Sequence, residues 1–103
     1  MIGTLKVSPE EMQAASAELA GYVRTMSDCF ETMKRIMNGT DAYWNGEAAQ
    51  AHRALYDEQV PKTEEFIARC NEHVTDLNTM AGVYSQAEQT ATAKAEELPV
   101  SNL

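Results

Sequence analysis

The side chains with the widest chemical reach in this chain are two histidines, His52 and His73, and two cysteines, Cys29 and Cys70. Metal centres and general bases draw on these residue types, but only at ligand spacing or beside an orienting partner. The histidines lie 21 positions apart (73 minus 52) and neither opens a His-Glu-x-x-His run, so each is expected to be a packed or solvated helix residue. The cysteines form no Cys-x-x-Cys pair and read as small core residues. In a chain that bends near residue 43 they fall several turns apart, which argues against a disulfide between them. No nucleophile elbow, phosphate-cradling glycine loop or convergent carboxylate pair is present. The expectation is a protein without cofactor or metal, and not an enzyme. Asn38-Gly39-Thr40 has the form of a glycosylation sequon, a tripeptide frequent by chance.

What remains is chemistry of recognition, carried by two short patterns. The first is Trp44-Asn45-Gly46, which holds the only tryptophan and sits between two stretches of helical periodicity. Gly46 can take backbone conformations that other residues adopt only at a cost, and Tyr43 and Trp44 bring aromatic area expected to bury a bend. The second is Tyr84 with Glu88, four residues apart and therefore on one face of a helix.

Helices must position both patterns. The 103 residues make one domain at most, and 44% apolar with 23% charged residues is ordinary for a globular chain. Three prolines, five glycines and few β-branched residues in a chain rich in alanine, glutamate, methionine and glutamine indicate an all-α fold. A formal charge of −8 opposes nucleic-acid binding and adhesion to anionic membranes. No apolar run approaches the roughly 18 residues of a membrane span, so no stable membrane insertion is expected. Met1 to Val7 lacks the charged start, apolar block and cleavage site of a Sec-type leader, so export, if it occurs, is expected to proceed without a signal peptide.

Ser8-Pro9-Glu10-Glu11 combines an N-cap serine, a first-position proline and a glutamate three residues after the cap, so helix 1 is expected over about 8–38. Met12, Leu19, Met26 and Met33 recur every seven residues, interleaved with Ala15, Tyr22, Cys29 and Ile36 and widened by Val23, Phe30 and Met37. This makes one face apolar for roughly 45 Å. Asn38-Gly39 suits a left-handed helix stop, which leaves a turn over 39–46. Helix 2 is expected over about 47–90, with a seam of His52, Tyr56, Gln59, Thr63, Phe66, Cys70, His73, Leu77, Met80 and Tyr84 at spacings of four and three, and with Leu55, Val60, Ile67 and Val74 alongside. Tighter packing is expected from Phe66 onward, and Pro61 predicts a kink near 57–61. The hairpin domain thus spans 1–90, followed by a flexible tail over 91–103, with Pro99 to Leu103 disordered. One hairpin cannot cover apolar stripes on both helices, so two are expected to dimerise into a four-helix bundle.

On these residues the chain resembles the WXG family of early-secreted-antigen-like proteins, the helical-hairpin substrates of bacterial type VII (ESX-type) secretion. Trp44-Asn45-Gly46 matches the family turn, Glu47-Ala48-Ala49-Gln50-Ala51 the small-residue run after it, and Tyr84-Ser85-Gln86-Ala87-Glu88 the C-terminal Tyr-x-x-x-Asp/Glu export motif. His52 stands where the family commonly has an aromatic residue. The Ser8-Pro9-Glu10-Glu11 start and Pro61 are similar to the Gram-positive branch, where homodimers are usual. The resemblance implies a cytoplasmic protein exported as a folded dimer, with itself or a WXG paralogue as partner, and recognised by an FtsK/SpoIIIE-type ATPase. The alternative it leaves open is a helical adaptor that targets a larger type VII-secreted toxin.

Overall fold

The structure, a computed structural model, describes residues 5–98. Within them α1 spans Pro9–Gly39, a 3-10 turn covers Thr40–Ala42, and α2 spans Glu47–Glu96. The two helices run antiparallel as a hairpin.

α1 begins where its sequence dictates. Ser8 is extended, its hydroxyl oxygen accepts from the Glu11 N–H at 3.3 Å, and Pro9 fills the first turn, where its missing N–H costs nothing. The other end departs from the expected glycine stop. Gly39 is right-handed, with φ −70° and ψ −15°, and the chain tightens into the 3-10 turn instead. The Thr40 hydroxyl donates to the Met37 carbonyl at 2.7 Å, so a side chain satisfies one orphan carbonyl of the helix end and left-handed geometry is not required there.

α2 is 50 residues long, about 75 Å at 1.5 Å per residue, and outruns the boundary placed near residue 90 by six residues. The tail expected to be disordered at Pro99 to Leu103 lies outside the described residues. Pro61 does not end the helix. It sits on the exposed face with Asp57, so the carbonyl its ring leaves unpaired has access to water, while Tyr56, Val60, Thr63 and Ile67 keep the inner face in phase across it.

The core is narrow and lies at mid-hairpin. Val23 and Phe30 of α1 meet Ile67 of α2, and Met26, Val60, Cys70 and Val74 pack around them. Nearer the open end, buried Ser16 donates through its hydroxyl to the Val74 carbonyl at 3.1 Å, tying the helices where two backbones approach. The packing on α2 is centred on Val60 to Val74, and three of its four core members, Ile67, Cys70 and Val74, follow Phe66, in line with the tighter packing expected from there onward. Phe66 itself is 56% exposed.

The seam on α2 is turned by one residue from the expected one. Tyr56, Thr63, Cys70, Leu77 and Tyr84 are at least half-buried as expected, but the alternate positions are Arg53, Val60, Ile67, Val74 and Ala81, while His52, Gln59, Phe66, His73 and Met80 point to solvent. The physical reason is width: helices crossing at 8–10 Å accept branched or small side chains at their closest approach, and the larger rings are displaced to the flank. α1 shows the same split. Its inner row is Pro9, Ser16, Val23 and Phe30, whereas Leu19, Tyr22, Cys29, Met33 and Ile36 lie exposed beside it and Met12 and Met26 share both rows. Cys29 is therefore not a core residue.

The result is a rod of 87 × 29 × 15 Å. Its radius of gyration is 24.2 Å, against about 13 Å for a compact chain of 100 residues, so a single hairpin has no interior beyond its seam.

Candidate functional site

Three places carry side chains that the hairpin itself does not use: the turn, the open end, and the outer stripe between them.

At the turn, the N–H groups of Tyr43 and Trp44 both donate to the Thr40 carbonyl, at 3.1 and 2.8 Å. Gly46 then takes φ 123° and ψ 179° and caps α2. A Cβ there would meet nothing within 4 Å, so it is the backbone angle and not crowding that calls for glycine. Trp44 is 38% exposed and Tyr43 is 75% exposed, which corrects the expectation that these rings bury the bend. The indole instead lies against the surface of α2. The His52 ring is tilted on it with centroids 5.4 Å apart, and the Arg53 guanidinium stands 6.0 Å from its centre. Arg53 Nη1 also donates to Thr40 Oγ1 at 3.1 Å and to the Trp44 carbonyl at 2.9 Å. Sequence reasoning singled out neither Arg53 nor Thr40. The signal available was an α1 whose last turn holds no basic residue, which leaves its negative end open to a cation from elsewhere.

At the open end, the extended segment Leu5 to Ser8 runs beside α2. An open groove of about 690 Å³ is lined by Val7, Met12, Leu77, Met80 and Tyr84 with His73 and Asp76 at its rim. On the other side of Val7, Leu5 and Pro9 gather with Tyr84, Ala87 and Glu88. Tyr84 is half-buried and Glu88 exposed, both beside the first turn of α1. From Gln86 onward every described residue of α2 is exposed, so the helix projects past its partner.

Between the ends, Leu19, Tyr22, Met33 and Ile36 on α1 and Leu55, Phe66 and Met80 on α2 stand in solvent. Of the seam residues named from sequence, Val23 and Phe30 are buried and Met12, Met26 and Leu77 half-buried within the hairpin, while Leu19, Tyr22, Met33, Phe66 and Met80 are outside it. Trp44 and Tyr84 are not brought together: α2 rises about 56 Å from Glu47 to Tyr84. No group of three or more potential metal ligands gathers among the described residues, and no described helix is long and apolar enough to cross a membrane.

Comparison with known proteins finds a matching family and similar solved structures. The family described as "WXG100: Proteins of 100 residues with WXG" matches over residues 4–89. Among solved structures the fold is similar to that of Geobacillus thermodenitrificans EsxA, crystal form I, with a TM-score of 0.76 at 19% identity, covering 88% of this chain and 98% of that one. No curated protein matches.

Proposed function

The chain belongs to the WXG100 family, whose members are substrates of type VII secretion, and on that premise we propose that it leaves the cytoplasm as a folded homodimer carrying a signal composed from both subunits. The observation that carries the dimer is the outer stripe. Leu19, Tyr22, Cys29, Met33 and Ile36, with Met26 between them, follow one another at three and four residues along α1 and are left exposed apart from Met26, and a second hairpin laid against them buries the face that water now covers.

An antiparallel pairing sets the turn of one subunit beside the open end of the other. Trp44 and Gly46 then stand next to Tyr84 and Glu88 of a second copy, although within one chain the length of α2 separates them. An FtsK/SpoIIIE-type ATPase reading both halves accepts assembled dimers and passes over monomers. Light scattering tests the first step: a stable monomer at micromolar concentration removes the homodimer, and folding only with a paralogue replaces it with a heterodimer.

Co-expression tests the second step. Chains carrying Tyr84→Ala form normal dimers with wild type, and each mixed dimer keeps one intact composite site, whereas mutant homodimers keep none. Mixed dimers are therefore expected in the medium and mutant homodimers in the cell. Efficient export of the Tyr84→Ala homodimer refutes the composite signal.

A further inference from the structure

The bend is held by one side chain from outside it. Tyr43 to Gly46 form no helix or strand, and the two backbone bonds to the Thr40 carbonyl fix only the N–H sides of Tyr43 and Trp44. Gly46, at φ 123°, gives the following peptide freedom that no other residue type would have. The carbonyl side of Trp44 is held by Arg53, which lies on the second turn of α2.

We infer that Arg53 is a positioning residue that locks Trp44 in the pose presented at the tip of the hairpin, and so is part of the export signal although it lies outside the Trp-x-Gly tripeptide. This rests on the reading that the turn is recognised during export.

Three contacts converge on the one guanidinium. Nη1 donates to the Trp44 carbonyl at 2.9 Å and to Thr40 Oγ1 at 3.1 Å, and the charge lies 6.0 Å from the indole centre. Thr40 is buried, and its hydroxyl donates a hydrogen bond to the Met37 carbonyl at 2.7 Å, so the chain of bonds runs from the last turn of α1 through Thr40 and Arg53 to the backbone of Trp44. The cation also faces the carbonyl end of α1, which has no basic residue of its own in the last turn. Lysine replaces this geometry only in part, because its ammonium can donate to both acceptors but lacks the planar guanidinium that lies over the ring.

Because Trp44 is the only tryptophan, its spectroscopy reports the turn alone. In Arg53→Gln dimers the near-ultraviolet circular dichroism of the indole is expected to be lost and acrylamide quenching to rise. Secretion is expected to fall about tenfold, as for loss of a hydrogen bond to a charged group. Arg53→Lys is expected to fall between the two. Should Arg53→Gln fail to fold, Thr40→Val, which keeps the side-chain shape and removes the shared hydroxyl, is expected to give the same spectral loss and a smaller loss of secretion.

Trp44→Ala runs in parallel. If it stops export while Arg53→Gln is exported like wild type, the latch is overturned and the turn signal stands. If Trp44→Ala is itself exported normally, the turn is not read and both fall. A folded Arg53→Gln with an unchanged indole spectrum overturns the latch whatever its export.

Discussion

The inner and outer faces of α1 are built from the same kinds of residue and meet opposite fates. Val23 and Phe30 are 4% and 7% exposed, whereas Tyr22 and Ile36, on the neighbouring row, are 68% and 54% exposed. Apolar periodicity records that a face is to be buried, and both rows carry it. It does not record which partner does the burying, because that depends on a rotation of a fraction of a turn that the i+3 and i+4 rows share. The inner row makes the fold, and the outer row is the face proposed for assembly.

The largest effect that sharpens this contrast is expected from Phe30→Ala, which removes a ring from the buried cluster joining the helices. It should cost about 3–5 kcal/mol in chemical denaturation, at every protein concentration. A loss under about 1 kcal/mol would mean that the seam is not the core.

Next comes the outer row. Tyr22→Glu with Ile36→Glu should weaken association by about 30-fold or more in sedimentation, since two central apolar anchors are replaced by charge. The unfolding midpoint of Phe30→Ala, which keeps the outer row, should still rise with protein concentration, whereas that of the outer-row variant should become independent of it once the protein is monomeric. Equal, concentration-independent losses from both variants would erase the distinction between the faces.

At the turn, Trp44→Ala should cost only about 1–2 kcal/mol, because an indole 38% exposed in the hairpin forfeits part of what a buried ring loses. A loss as large as that of Phe30→Ala, read in the same denaturation series, would mean that assembly completes its burial.

The smallest effect concerns Lys34, on the edge of the inner row. Its ammonium lies 3.0 Å from Glu31 and 3.6 Å from Glu64 of the opposite helix. The hydrogen bond that the ammonium donates to Glu31, with both glutamate charges, outweighs desolvation and raises its pKa above the ordinary 10.5. A cation whose pKa rises on folding contributes stability that is in place below the unfolded value and is lost as pH climbs through the folded one. Stability should therefore dip at pH above 10.5, and Lys34→Gln should remove that part of the dip in alkaline melts.

Much of this was legible from residue types. Ser8-Pro9 marked the start of α1, Gly46 a residue that takes positive φ, and the uninterrupted phase across Pro61 the continuity of α2. The seam on α2 was legible in every other member. Tyr56, Thr63, Cys70, Leu77 and Tyr84 belong to both candidate rows, so they cannot tell one from the other. Between Phe66 and Ile67 the larger side chain drew the reading, and the closer helix approach selected the smaller. Arg53 was invisible for a different reason: its acceptors are a backbone carbonyl and a threonine that come within reach only after the chain has turned.

The contacts between the helices form a ladder whose rungs differ in the loop they close. Arg53 to Thr40 spans 13 residues, while Ser16 to Val74 spans 58. Closing the longer loop directly costs about 1.3 kcal/mol more in chain entropy, from three-halves RT times the logarithm of the ratio, so the hairpin is expected to zip from the bend outward. Tyr84 and the first turn of α1 meet only when every rung below them has closed. The open end is thus the last part of the molecule to acquire its shape, and a receptor that reads Tyr84 in that setting receives a time stamp: the chain it holds has finished folding.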